Sequence, residues 1–312
     1  MNTAASQTRP RWSAAEIPDQ TGRTALITGA NSGLGLETTR QLARRGAHVI
    51  MAVRNQRKGE DAARRLRDEI PGARLQLRAL DLADLDSVRS LAADLRSEGA
   101  VIDVLVNNAG IMGAVRSLSP QGHESQFATN HLGHFALTGL LLDTLPSGPD
   151  PRIVTVTSFT HSRGRIDFED LSGERKYSPM RAYTQAKLAN ALFGLELDRR
   201  LRARGSAIRS VLAHPGYANT PMQRTGPNAV ARSLTGLAGA LTAQPAEVGA
   251  LSLLYAATAQ AAQGGDLIGP DGPRAKKGHP TALTPAPSAT DQAAARRLWE
   301  VSEELTKVRF PR

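Results

Sequence analysis

Residues 24–35 read TALITGANSGLG. An apolar run, 24–29, leads into Gly29-Ala30-Asn31-Ser32-Gly33-Leu34-Gly35, and a helical pattern follows at 36–45. Glycines let a backbone approach a pyrophosphate closely and let the helix pack on the strand. The unpaired N–H groups at the helix start attract the anion. The spacing is G-x-x-x-G-x-G rather than the commoner G-x-G-x-x-G, so position carries the argument. The turn follows the first strand and precedes a helix, which points to a dinucleotide-phosphate cradle.

Working outward, apolar strand candidates recur at 47–53, 74–80, 102–107, 152–158, 207–213 and 266–269. Helical stretches fall between them, at 57–69, 83–97, 124–145, 181–204 and 246–259. This alternation predicts an α/β fold, a doubly wound parallel sheet of Rossmann type in one three-layer α/β/α domain. The strands are continuously apolar, as strands covered on both faces are. Residues 1–22 read as an N-terminal extension and 23–270 as the dinucleotide-binding domain. Residues 271–312 read as a C-terminal extension packed on that domain. Two polar or Gly/Pro-rich stretches, 159–182 and 215–245, read as substrate loops. The proline-rich run 269–289 reads as irregular backbone, and 291–308 as an amphipathic helix whose Trp299 side packs on the body.

The second strand ends Val53-Arg54-Asn55, with no carboxylate to grip a ribose hydroxyl. A guanidinium there suits a 2′-phosphate and favours NADP(H), with NAD(H) as the alternative. Tyr183 and Lys187 are four residues apart in a helical pattern, so both side chains share one face. The ammonium is expected to lower the phenol's pKa for proton exchange. Tyr177 competes as proton donor, although position 181 is Arg and Pro179 reads as a helix interruption. Ser158 ends the fifth strand candidate, at the sheet edge where open α/β folds bind ligands.

The glycine turn, Asn107-Asn108-Ala109-Gly110, Ser158, Tyr183-x-x-x-Lys187 and His214-Pro215-Gly216 occur together in this order. With GANSGLGLETTRQLARRGAHVIMAVRN, TNHLGHFALT, AYTQAKLANALF and LWEVSEELTKV, the chain resembles a short-chain dehydrogenase/reductase over 12–308. It is most similar to the retinol-dehydrogenase-like and protochlorophyllide-reductase-like branch. The resemblance implies that Tyr183 exchanges the proton at the substrate oxygen. Lys187 would tune it and hold the nicotinamide ribose, Ser158 would polarise the carbonyl, and Asn130 would support a water-linked relay. It implies that Gly29, Asn31, Ser32, Gly33 and Leu34 surround the phosphates. Asp81 and Leu82 would meet the adenine, Asn108, Ala109 and Gly110 the adenosine side, and Pro215, Gly216 and Thr220 the nicotinamide end. Relatives often pair through the helices matching 124–145 and 181–204, and the C-terminal segment is placed to block such pairing. Either a monomer or a homodimer is therefore expected.

Composition narrows the classes further. The 312 residues are 40% hydrophobic and 22% charged, with a net charge of +10 and no cysteine. Disulfide scaffolds, thiolate metal sites and cysteine nucleophiles are excluded, and a reducing, cytoplasmic setting is expected. The cysteine-dependent light-driven chemistry of the protochlorophyllide reductases ranks low for the same reason. The basic residues alternate with acidic ones, as in RRLRDEI, and read as solvated helix faces rather than a nucleic-acid surface. No apolar run reaches membrane-span length. The spacing of His131, His134, His161 and His214 fits no common metal site. The expected activity is NADP(H)-dependent interconversion of a fairly apolar ketone or aldehyde with its alcohol. The alternative is a non-catalytic dinucleotide sensor or scaffold on the same fold.

Overall fold

In a computed structural model of the chain, which describes residues 11–145, 149–218 and 244–311, the apolar runs form one eight-stranded sheet. The elements alternate as β1 (Thr24–Thr28), α1 (Gly33–Arg44), β2 (His48–Val53), α2 (Gln56–Glu69), β3 (Arg74–Ala79), α3 (Leu85–Ser97) and β4 (Val104–Asn107). Then come α4 (Ser125–Phe127), α5 (Gly133–Leu141), β5 (Arg152–Val156), α6 (Pro179–Ala203) and β6 (Arg209–Ala213). The chain continues with α7 (Ala246–Thr258), β7 (Leu267–Pro270), β8 (Pro280–Leu283) and α8 (Gln292–Thr306). The strand order is β3-β2-β1-β4-β5-β6-β7-β8, parallel except for β8. The order reverses between β1 and β4, so the carboxyl ends of these strands open a crevice there.

Side-chain alternation builds both faces. Ala25, Ile27, Val49, Met51 and Val53 join the core under α1, α2 and α7, while Leu26, Ile50 and Ala52 join the core under α3, α5 and α6. Every residue of β4 and β5 is buried. This is the doubly covered parallel sheet that the uninterrupted apolar runs require.

Four expectations are corrected. Strand β5 stops at Val156, leaving Thr157 and Ser158 in the turn beyond it. Pro179 starts α6 rather than interrupting it, because the first helical position needs no N–H donor. The single helix expected over 124–145 is broken by a π-helical turn, Ala128–Leu132. There the Asn130 carbonyl is engaged by His134 Nδ1 at 3.0 Å, and the Asn130 amide clamps the distant Ile111 backbone. Such turns recur at functional sites.

Fourth, the proline-rich run is not wholly irregular. β8 pairs antiparallel with β7, Leu267 opposite Leu283 and Pro270 opposite Pro280. Proline is tolerated on this edge because its missing N–H leaves no interior ladder bond unmade. Asp291 then caps α8 by accepting from Ala293 N and Ala294 N. Helix α8 and the tail seat Trp299 and Phe310 against Phe135 of α5 and Phe193 of α6, with ring centroids 4.5 to 6.2 Å apart. At the other end of the chain Trp12 packs edge-on against Tyr255 of α7, and Ile17 is buried in the core.

Candidate active site

A cleft of about 720 Å³ runs along the carboxyl ends of the strands at the switch point. Its phosphate end is the β1–α1 turn. Gly29 holds φ +68° and Gly33 φ +51°, conformations that side chains with a Cβ resist. A Cβ on Gly35 would lie 2.3 Å from the Gly29 carbonyl oxygen, so only glycine lets α1 start so close to the strand. Asn31, Ser32 and Leu34 also line this end. Ser32 is the N-cap of α1, and its side chain makes no capping bond. Asn108 braces the turn from β4: its Nδ2 donates to Thr28 O at 2.7 Å. The N–H groups of Asn108 and Ala109 both donate to Thr28 Oγ1.

Arg54, Asn55 and Lys58 line the same cleft past the end of β2. Arg54 and Lys58 are outside every ion pair among the described residues. Asn55 caps α2 by accepting from Lys58 N at 2.9 Å. Two cations and a helix N-terminus therefore meet at one spot. Asp81 and Leu82, Asn108 to Gly110, and Pro215 and Gly216 line the remaining wall.

Ser158, Tyr183 and Lys187 converge at the opposite end of the cleft. Helix α6 carries Tyr183 and Lys187 one turn apart, with Nζ 5.9 Å from the phenol ring centroid. Ser158 Oγ accepts from Thr160 Oγ1 at 3.0 Å and lies near enough to the Tyr183 phenol to draw its pKa down. Lys187 Nζ donates to Val156 O at 3.1 Å. Burial pushes the phenol up to about 12, against the smaller lowering from Ser158. Burial also pulls the ammonium down to about 8. The lowering expected from Lys187 is not seen in the protein alone: burial raises the phenol, and the opposing influence comes from Ser158. The phenol is held protonated, ready to donate.

Other candidates lie elsewhere. Asn130 does not line the cleft; its amide accepts from Ile111 N at 2.8 Å and donates to Ile111 O at 2.9 Å, holding a cleft-wall residue by both backbone groups. Thr220 and most of the 215–245 loop lie outside the described residues. The Tyr177 hydroxyl donates to Ala114 O at 2.7 Å and accepts from Gln126 Nε2 at 3.0 Å, and burial and Glu124 push it up to about 12. It is engaged in tying two loops together.

The four histidines go to separate tasks. His131 bonds Ser302, His134 bonds Thr28, His161 bonds Ser158 O, and His214 accepts from Gly216 N. Among the described residues no three His, Asp or Glu side chains are grouped to hold a metal. The sequence reading missed Lys58 and Thr129 as lining residues, whereas Phe159, Met180 and Tyr217 fall in the stretches 159–182 and 215–245 that it read as substrate loops. Lys58 was the findable one: it stands in the first turn of the helix that Arg54 precedes.

The short chain dehydrogenase family model matches residues 23–230. Human retinol dehydrogenase 13 is 41% identical over 305 residues, covering 96% of this chain and 88% of that protein. Mouse polyprenol dehydrogenase is 40% identical over 295 residues, covering 93% and 85%. A crystal structure of an uncharacterized protein from Mycobacterium paratuberculosis is 45% identical with a TM-score of 0.81, covering 97% of this chain and 100% of that one. Among the described residues no helix is long and apolar enough to cross a membrane. The chain belongs to the short-chain dehydrogenase family, in its retinol-dehydrogenase-like branch, and is an NAD(P)-type oxidoreductase of alcohol and carbonyl groups.

Proposed function

We propose that the chain is an NADP(H)-dependent enzyme interconverting an apolar ketone or aldehyde with its alcohol. The observation that carries this reading is one cleft with two chemically distinct ends. The glycine turn, Arg54 and Lys58 stand at one end, and Ser158, Tyr183 and Lys187 at the other. The glycine turn fits a pyrophosphate, because Gly29 and Gly33 take positive φ and Gly35 lets α1 begin against the Gly29 carbonyl. Arg54 and Lys58 would hold a 2′-phosphate, with Asn31 and Ser32 adding neutral bonds. Asp81, Leu82, Asn108, Ala109 and Gly110 would flank the adenosine. Pro215 and Gly216 would flank the nicotinamide, with Thr220 beyond them.

NADPH, when bound, would supply the hydride. The Tyr183 phenol then gives its proton to the substrate oxygen, and Ser158 Oγ steadies the charge developing on that oxygen. Lys187 would hold the ribose through its ammonium, and Asn130 would keep the Ile111 wall in place. Met112, Phe159, Met180 and Tyr217 on the lining favour an apolar substrate. The names of the two relatives denote apolar alcohols as well. Because α8 covers the outer faces of α5 and α6, we read the enzyme as a monomer with respect to that face. Turnover of NADPH against a panel of apolar ketones and aldehydes tests the reading. Loss of turnover in Tyr183→Phe with cofactor binding retained is the expected result, and wild-type turnover in that variant would overturn it.

A further inference from the structure

Past Gly110 the chain lines the cleft through Ile111, Met112 and Gly113, and side chains from other segments hold the backbone of this strip. Asn130 grips Ile111 at its root. Further along, Gly113 N donates to Gln126 Oε1 at 3.0 Å, and Ala114 O accepts from the Tyr177 hydroxyl at 2.7 Å. Gln126 is fully buried, and its Nε2 donates to the Tyr177 oxygen at 3.0 Å and to Pro179 O at 2.9 Å. Pro179 precedes Met180, which lines the cleft from the start of α6. One buried amide, with both its oxygen and its nitrogen engaged, thus joins two segments of the lining. Glu124, also buried, caps α4 by accepting from Gln126 N and Phe127 N, and its Oε1 lies 3.1 Å from the Tyr177 hydroxyl. The Tyr177 ring sits on Gly173, where a Cβ would come 2.8 Å from Cδ2. Arg116 adds a tie to Ser172 O at 3.0 Å, but beyond Ala114 and from the exposed side.

We infer that Gln126 and Tyr177 are positioning residues for substrate selection: they fix the spacing between the 111–114 strip and Met180, and so the girth of carbonyl compound admitted. The inference rests on the reading of Ser158, Tyr183 and Lys187 as the reacting end of the cleft. Neither Gln126 nor Tyr177 lines the cleft, so each acts through the backbone it holds. A buried polar network with its members satisfied rigidifies what it touches. The strip has no helix or strand of its own, so its position follows from these bonds. A fastening that served stability alone would not need the bond to Pro179 O, which ties the strip to the start of the helix that carries Tyr183. With the strip released, a slender substrate loses the fixed wall it packs against, and a broad one gains room. The reacting groups are untouched, so turnover at saturation stays as it was.

The test uses the full chain, NADPH and two apolar probes of different girth, decanal and benzophenone. The variants are Y177F and Q126M, with Y183F beside them. Y177F keeps the ring on Gly173 and loses the bond to Ala114 O. It is expected to raise the decanal KM about fivefold, the worth of one neutral hydrogen bond, with kcat and the NADPH KM unchanged. Its kcat/KM for benzophenone should not fall, so the benzophenone-to-decanal ratio rises by the same factor. Q126M should move the ratio further in that direction, because the bonds to Gly113, Tyr177 and Pro179 all go. If Y183F keeps wild-type turnover, or the wild type reduces neither probe, the reading of the cleft fails and this role with it. If Y183F is inactive while Y177F and Q126M keep the wild-type ratio, the positioning role alone is overturned. Equal losses with both probes mark general damage and overturn it too. Should Q126M fail to fold cooperatively, the ratio in Y177F decides alone: raised, it supports the role; unmoved, it refutes it.

Discussion

Replacing Arg54 by alanine should lower the preference for NADPH over NADH about tenfold. Arg54 is exposed and lines the cleft beside the N-terminus of α2, one turn before Lys58. A hydrogen bond to a charged group contributes roughly 1.5–3 kcal/mol net. Exposure to solvent and salt places Arg54 at or below the lower end of that range, and about 1.4 kcal/mol is tenfold in affinity. Lys58 remains in the single variant, so some preference should survive. R54A/K58A should lower the preference further, and by an amount different from the sum of the single losses, because both cations share the one phosphate. Both effects should shrink as salt rises from about 50 mM towards 300 mM, since exposed charges are screened over a Debye length of about 10 Å at 0.1 M. The measurement is kcat/KM for both cofactors in the wild type and the two variants, at two salt concentrations. A wild type that prefers NADH, or a ratio unmoved in R54A/K58A, would refute the assignment of these cations to a 2′-phosphate. A loss of turnover at saturating NADPH would contradict the claim that they only bind.

Tyr183→Phe should cut kcat by at least about a thousandfold, within the range general acid catalysis supplies, while NADPH binding followed by fluorescence changes little. Burial holds His131 at about 3, and His134 and His214 at about 4, so all three are neutral in the fold. The unfolded chain takes up these protons near pH 6.5, so their contribution is complete above that pH and is lost as pH falls towards 4. By pH 5 the loss is roughly 2 kcal/mol for each histidine; a urea midpoint identical at pH 7 and pH 5 would exclude this. Trp299→Ala should destabilise by about 3–5 kcal/mol, as deletion of a buried aromatic does. It should also open the Phe135–Phe193 face to self-association, read by sedimentation; a folded, monomeric variant with an unchanged Tm would remove α8 from that role.

The parts of this fold that were legible in the sequence are those dictated by local composition. A parallel strand buried on both faces needs an apolar centre, and β1 (Ala25–Ile27), β2 (Val49–Val53), β4 (Val104–Val106), β5 (Ile153, Val154, Val156) and β6 (Val211–Ala213) all have one. A turn that must bring helix and strand within Cβ distance must carry glycine, and 29–35 does. What was not legible depends on partners far away in the chain. Strand β8 exists because β7 offers an open edge, which the prolines of 269–289 conceal. The π turn carries Asn130, whose amide holds Ile111, 19 positions earlier in the chain. The direction of the Tyr183 shift depends on how deeply α6 is covered, and a Tyr-x-x-x-Lys spacing cannot state depth.

That depth has a structural source. A helix on the outside of an α/β layer shows one apolar stripe, yet α6 buries residues around much of its circumference. Leu188, Ala189 and Leu192 belong to the core shared with α8, while Phe193 and Leu197 face the Trp299–Phe310 cluster. On the sheet side, Lys187 and Asn190 both reach Val156 O. The C-terminal segment thus converts α6 from a surface helix into an interior one, and an interior helix excludes water from the polar residues it carries. The same exclusion keeps the Tyr183 phenol protonated and draws Lys187 towards neutrality. Helix α8 and the tail, which do not line the cleft, therefore act on the helix that carries its acid–base pair, through burial.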